Sequence, residues 1–315
     1  MSFARITNRL MSNRSVENLH LNLQRLNDLQ NKLSSGKNIN VPSDDPVGLS
    51  RLLGIDETRK QDERYISNIN NARSELNTTD ALLSSTTDVI QRARELTVQA
   101  SNQTNGPSEL AAIREEVQQL LNQVVQVANT RFGNKYIFGG TRTNDAPYTT
   151  AGADVIYNGT QSTGAYQRNI EIGSGVVITV NFPGDDIFGQ YDTGSGNEYG
   201  LINTLSTLIN DLNTAIAAPT AANYDAIRSN IDLLDNDLDN VLSVQTTVGA
   251  LVNRLDMTEN RLQERTISLS KEYGSIQDVD LAKVISDLNF QESVFQTSLS
   301  ATARVLQSSL LDYLR

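Results

Sequence analysis

Cysteine and tryptophan are absent from this chain, and histidine occurs once. Without thiols there is no disulfide and no thiolate metal site. With His20 alone, a zinc site would have to be completed by carboxylates, and no H-E-x-x-H motif is present. A Ser-His-Asp relay would also depend on His20, with no G-x-S-x-G sequence to present a nucleophile. His20 therefore reads as a structural or solvent-facing residue.

Aromatic residues make up 5% of the 315 positions and hydrophobic residues 38%. That is thin for one compact core and fits an elongated, helix-rich chain with a small second domain. No apolar run approaches the length of a membrane span, so no membrane partner is expected. The opening stretch Met1 to Ser15 lacks the apolar core of a cleavable secretory signal, so export would use a route that does not read one. A net charge of −11 argues against nucleic acid as a partner.

Neither a P-loop nor a G-x-G-x-x-G turn occurs; the pairs Gly173/Gly175 and Gly194/Gly196 lie in turn-like contexts. The run Asp235-Asn-Asp237-Leu-Asp239-Asn240 has the first spacings of a calcium loop. It lacks the glycine at the sixth position, and Thr246 stands where the closing acid belongs. It reads as the solvated face of a helix, and neither metal nor cofactor is expected. An exported enzyme would have only carboxylates such as Asp154, Asp185 and Asp186 to work with in the central segment.

What the chain does have is periodicity. Towards the C-terminus, Leu281, Ile285, Leu288, Phe295, Leu299, Leu306 and Tyr313 recur at spacings of three and four or their sums, with Val284, Leu310 and Leu314 widening the stripe. This is the pattern of a coiled-coil seam, and no glycine or proline interrupts it after Gly274. At the other end Phe3, Ile6 and Leu10 open a similar stripe. After a one-residue slip it continues through Val16, Leu19, Leu23, Leu26 and Leu33, with Gln30 as a polar seam position.

Neither helix can bury its stripe alone, so the two termini are expected to pair or to wait for partners. Charge favours the pairing. Residues 1–40 carry six basic and two acidic side chains, an excess of +4, and residues 275–315 carry three basic and five acidic, an excess of −2.

Between the ends, Gly36 and the Ser43 to Pro46 run predict a hinge. Long helices are expected over about 46–100 and 109–132, then from Leu201, and again over about 224–270, with Gly274 as a second hinge. Residues 133–195 switch to short β-branched and aromatic runs separated by Asn158-Gly159 and Gly173-Ser-Gly175, which predicts an antiparallel β module. The expected class is mainly α. It is an elongated helical bundle with paired terminal coiled-coil helices (1–42 and 273–315), a helical shell (43–132 and 199–272) and a small inserted β domain (133–198).

These residues resemble a known family. The segments Asn68-Ile-Asn-Asn-Ala72, Arg92 to Ser101 and Glu115 to Leu120 look like the N-terminal helical region of bacterial flagellins, and Leu281 to Arg315 resembles the flagellin C-terminus. Ser43-Asp-Asp-Pro-Val-Gly48, Lys135 to Arg142 and Gly184-Asp-Asp-Ile-Phe-Gly189 are similar to the flagellin-like, hook-associated branch found at the hook-filament junction.

The resemblance implies a structural protein, exported unfolded by the flagellar type III apparatus after being held by a cytoplasmic chaperone. It implies a ring of identical copies between hook-associated protein 1 and flagellin, or alternatively a filament-forming flagellin. The assembly interface expected on this reading comprises Phe3, Ile6, Leu10, Leu19, Leu23, Leu26, Leu33, Leu281, Ile285, Leu288, Phe295, Leu299, Leu306, Leu310 and Leu314.

Overall fold

The computed structural model describes residues 2–160, 168–194 and 196–313, with the side chains of 2–9, 12, 197 and 305–313 excepted. The fold is mainly helical with a small antiparallel β insertion, and it divides into two compact units: residues 1–61 with 264–315, and residues 62–263. The division runs through two long helices, α2 (Pro46–Ala100) and α6 (Ala221–Gln277).

In the first unit, α1 (Ser2–Ser35) pairs antiparallel with α7 (Leu281–Tyr313). Gly36 stops α1 in a left-handed conformation (φ 68°), and its N–H donates to the Lys32 carbonyl at 3.0 Å. The Asp44 carboxylate accepts N–H groups from Asn40 (2.9 Å) and Val41 (3.0 Å), which folds the hinge back on itself and lowers the Asp44 pKa. Asp45 then caps α2, accepting from Val47 (3.1 Å) and Gly48 (2.9 Å), with Pro46 in the first turn.

Gly274 does not mark the second hinge. It lies inside α6, which continues to Gln277, and Asp280 caps α7 by accepting the Lys283 N–H at 3.1 Å. A glycine lowers helix propensity by only about 1 kcal/mol, too little on its own to stop a long helix. The break falls where the two hinges bond to each other. The Asn38 N–H donates to the Gln277 carbonyl (2.6 Å) and the Val279 N–H to the Gly36 carbonyl (3.1 Å).

The second unit is built on a strict seven-residue repeat. Along α2, Ile69, Leu76, Leu83 and Ile90 are fully buried. The alternating layer Ala72, Thr79, Thr86, Ala93 and Ala100 is small and also buried, which admits close helix approach. The hydroxyls of Thr79 and Thr86 donate to the carbonyls four residues back, so neither is left unpaired. On α6 the same period appears as Ile227, Leu234, Val241, Val248, Leu255 and Leu262.

Polar bridges fix the register of α2 on α6. Arg73 pairs with Asp256 (2.9 Å) and Glu259, Arg94 pairs with Asp235 (2.7 Å), and the Tyr224 hydroxyl donates to the Asn105 carbonyl (2.8 Å). Two shorter helices, α3 (Pro107–Ala128) and α5 (Gly200–Ala217), complete the helical part.

Among the described residues the β insertion forms three small antiparallel sheets. One pairs β1 (Arg131–Phe132) with β2 (Lys135–Tyr136). The second has the order β3 (Tyr148–Ala151), β4 (Asp154–Tyr157), β7 (Gln190–Asp192), β8 (Asn197–Tyr199). The third pairs β5 (Asn169–Gly173) with β6 (Val176–Thr179). Residues 161–167 of the expected β module lie outside the described residues. A one-turn helix, α4 (Gly184–Phe188), breaks what the sequence reading treats as continuous β structure. Phe188 packs edge-on against Phe138 with ring centroids 5.0 Å apart, and the Gly184 N–H donates to the Phe138 carbonyl.

Candidate assembly interface

The pairing of α1 with α7 is antiparallel, with Lys37 opposite Asp278. The residues that face across it form a seven-residue repeat. On α1 they are Ser15, Leu19, Asn22, Leu26, Leu29 and Leu33, all half-buried; on α7 they are Val284, Leu288, Gln291, Phe295, Ser298 and Thr302. Half of the α7 set is polar. Asn22 Nδ2 donates to Ser298 Oγ at 3.1 Å, and Gln291 Nε2 donates to the Asn22 carbonyl and Oδ1, both at 3.3 Å.

The seam and the apolar stripe read from the sequence do not coincide. Leu19, Leu26, Leu33, Leu288 and Phe295 are in the contact, but Leu23 is 40% exposed, Ile285 47% and Leu299 51%. Leu10, Val16 and Leu281 are also exposed, as is Gln30, so Gln30 is not a seam residue. Phe3, Ile6, Leu306 and Leu310 lie on α1 and α7 with side chains outside those described, and Leu314 is outside the described residues. Leu29, absent from the expected seam, belongs to it. The signal that could have found it is the spacing Leu19, Asn22, Leu26, Leu29, Leu33, which alternates three and four once asparagine is admitted as a seam residue.

The two flanks of the pair differ in character. In an antiparallel pair, equivalent heptad positions on the two helices fall on the same side. Arg25, Lys32 and Asp287 share one flank and line a groove there with Asp28, Leu29, Phe290 and Gln291. Val16, Leu23, Ile285 and Leu299 each follow a seam residue and share the opposite flank, next to the leucine layer of the seam. One flank is thus charged with opposite signs. The other carries these four uncovered apolar residues, with Gln30 and Glu292 at the remaining positions of the same row.

Elsewhere two of the carboxylates weighed for chemistry have roles in the packing: Asp154 Oδ1 accepts the Thr193 hydroxyl (2.9 Å) and Asp185 accepts the Tyr199 hydroxyl, while the backbone carbonyl of Asp186 accepts from Asn240 Nδ2 (2.8 Å). The acidic run from Asp235 lies inside α6. There Asp235 pairs with Arg94, and Asp237 is turned inward, its pKa pushed up to about 6 by burial. No group of three or more metal-ligating side chains occurs among the described residues. His20 is exposed on α1.

Most of the terminal pair, and Phe138, fall within segments that match known proteins. The model of the bacterial flagellin N-terminal helical region matches residues 6–143, and that of the C-terminal helical region matches residues 231–314. The chain belongs to the flagellin superfamily.

Within the superfamily it is similar to flagellar hook-associated protein 3 of Escherichia coli strain K12, at 28% identity over 86% of this chain and 87% of that protein. It is also similar to the flagellin of Bacillus subtilis strain 168, at 28% identity over 95% of this chain and 92% of that one. Among solved structures, Bacillus cereus FlgL matches at 26% identity with a TM-score of 0.53, covering 70% of this chain and 99% of that chain. A putative flagellar hook-associated protein from Vibrio parahaemolyticus shares the fold, with a TM-score of 0.65 at 20% identity over 75% of this chain and 100% of that one. The three segments that singled out the hook-associated branch fall at structurally demanding places of this flagellin-like chain: the α2 cap, and the Phe138 and Phe188 contact.

Proposed function

We propose that this chain is a structural component of the bacterial flagellum that joins the hook, through hook-associated protein 1, to the flagellin filament. The observation that carries the proposal is the uncovered apolar flank of the α1 and α7 pair. A pair in which half of the α7 seam residues are polar, and which leaves Leu23, Ile285 and Leu299 exposed to one side, is built to be completed by neighbours. The junction branch is supported by relatives named hook-associated protein 3 that match across most of both chains, and by the three segments at the α2 cap and at the Phe138 and Phe188 contact.

On this reading the interface is formed by Phe3, Ile6, Leu10, Leu19, Leu23, Leu26, Leu33, Leu281, Ile285, Leu288, Phe295, Leu299, Leu306, Leu310 and Leu314. The segments 43–132 and 199–272 form the shell around it, and residues 133–198 are the inserted β domain. The chain works outside the cell by adaptation between two tubes, without catalytic turnover. It is held before export by a chaperone on its C-terminal region and passes out through the flagellar type III apparatus uncleaved.

A second reading, a filament-forming flagellin, draws support from the near full-length match to the Bacillus subtilis flagellin. Electron microscopy of the purified chain, with and without short flagellar seeds, separates the two. A junction protein stays monomeric alone and caps hook-associated ends. Long filaments of this chain alone would overturn the junction reading in favour of the flagellin.

A further inference from the structure

Within the second unit the sheet containing β3, β4 and β7 meets α3 and α5 around a cavity of about 230 Å³. Thr150, Val155 and Tyr191 are successive cross-strand partners, so they share a face and line the cavity together. Leu121 of α3 and Ile209 of α5 extend its apolar wall, and the amides of Gln118, Asn122 and Asn210 stand around it. No lining residue carries a formal charge.

Three polar groups there are turned towards a ligand. The Asn158 N–H donates to the Pro147 carbonyl at 2.7 Å, and bonded pairs alternate along an antiparallel ladder. Tyr148 and Thr150 therefore turn their backbone N–H and C=O groups away from β4, towards the open edge of the sheet. At Tyr148 the side chain of Asn129, which ends α3, meets both groups, accepting at 2.9 Å and donating at 3.0 Å. Asn129 thereby blocks an added peptide strand, and the next place along the edge, at Thr150, takes something small. Asn210 Nδ2 donates to the Tyr191 hydroxyl at 2.9 Å, which leaves the phenol proton to donate elsewhere. Ser206 is 5% exposed on the cavity wall, and its hydroxyl has no hydrogen-bond partner.

These features select a ligand by chemistry. An ion would lose its hydration here without a counter-charge. Amides and hydroxyls set donors beside acceptors, which matches neighbouring hydroxyl groups that each donate and accept. The apolar wall and the Tyr191 ring suit the C–H face of a ring. The volume lies below the roughly 300–1,000 Å³ of pockets for drug-sized ligands, so it suits one ring rather than a chain.

We infer that this cavity binds the ring of a neutral pyranose sugar. The site lies wholly in the second unit, so the inference goes beyond the junction reading and does not depend on it.

Saturation-transfer NMR on the full chain tests it, with methyl glucoside, methyl galactoside, methyl mannoside and N-acetylglucosamine as probes. At least one binds, with a Kd on the order of 1 mM for so small a ligand. Glucosamine and glucuronate, which carry charge, bind several-fold more weakly. Asn122→Leu, at an exposed position, weakens binding several-fold, and Thr150→Trp fills the cavity and abolishes it, with urea melts showing that each variant folds. If Thr150→Trp does not fold, Asn122→Leu alone decides. The linear trisaccharide of the bound sugar separates two sources: tighter binding than the single ring assigns the end of a glycan, and equal or weaker binding a free sugar. No saturation transfer to any of the four probes would overturn the inference. So would binding that is undiminished in the folded variants, or charged sugars that bind as well as neutral ones.

Discussion

Asn22 on α1 and Ser298 on α7 meet across the terminal pair, amide donating to hydroxyl at 3.1 Å. A polar residue at a coiled-coil seam fixes register at a cost in stability, and here Gln291 extends the polar contact. Replacing Gln291 with Leu fills a buried seam position with apolar volume. The terminal pair should then gain about 1 kcal/mol, read as slower hydrogen exchange of α1 and α7 amides with no change in the second unit. Unchanged or faster exchange would mean the polar layer is not what weakens the pair.

The combined change Leu288→Asp, Phe295→Asp and Leu299→Asp strikes both seam and flank. The second unit should unfold at its usual temperature by calorimetry, while the protein no longer joins the flagellum. Normal swimming of cells carrying this variant would refute assembly through α7.

Gly189 has φ 66°, and a methyl group there would overlap the Tyr199 carbonyl oxygen. Gly189→Ala should cost at least about 2 kcal/mol of stability in the second unit, because backbone must move against backbone. Gly36 also has a positive φ but open space around it, so Gly36→Ala should cost only about 1 kcal/mol. Equal losses in urea melts of the two variants would show that the close approach to Tyr199 adds nothing.

Asp237 on α6 holds a pKa of about 6, raised by burial. Thr204 beside it offsets this only in part, and Asp237 Oδ2 has no hydrogen-bond partner. The folded state binds this proton more tightly than the unfolded state, so its contribution to stability is greatest below about pH 4 and falls as pH rises through about 6. Asp237→Asn should therefore stabilise the second unit at about pH 7.5 by about 1–3 kcal/mol and flatten the slope between about pH 4 and 6. Melting temperatures across that range, with the slope unaltered, would contradict the assignment.

The long helices were legible because their burial repeats every seven residues. Ile69, Leu76, Leu83 and Ile90 are apolar in sequence and sit inside as that period demands. The start of α2 followed from the Ser43 to Pro46 run, whose chemistry is local. The bend at Asp278 was not legible, because it depends on the first hinge, more than two hundred positions away, supplying hydrogen-bond partners to the second. The helix α4 was hidden for a similar reason: a five-residue segment is too short for periodicity, and Phe188 is held by Phe138 from another part of the chain.

The terminal pair teaches a different lesson. An apolar stripe marks the surface a helix prefers to hide, and here Leu19, Leu26, Leu288 and Phe295 share that surface with Leu23, Ile285 and Leu299. The intramolecular partner covers only one side of it. Asn22, Gln291 and Ser298 hydrogen-bond to one another and draw the contact towards themselves, and a reading that counts apolar spacing alone passes over residues of that kind.

The two hydrogen bonds that tie residues 36–38 to residues 277–279 also have a mechanical meaning. The hinges after α1 and before α7 are separate stretches of chain, yet neither can bend far without shearing a bond to the other. The terminal helices therefore pivot as one lever on a doubled axle, and a pull on either end of the polypeptide is shared by both strands before it reaches α2 or α6.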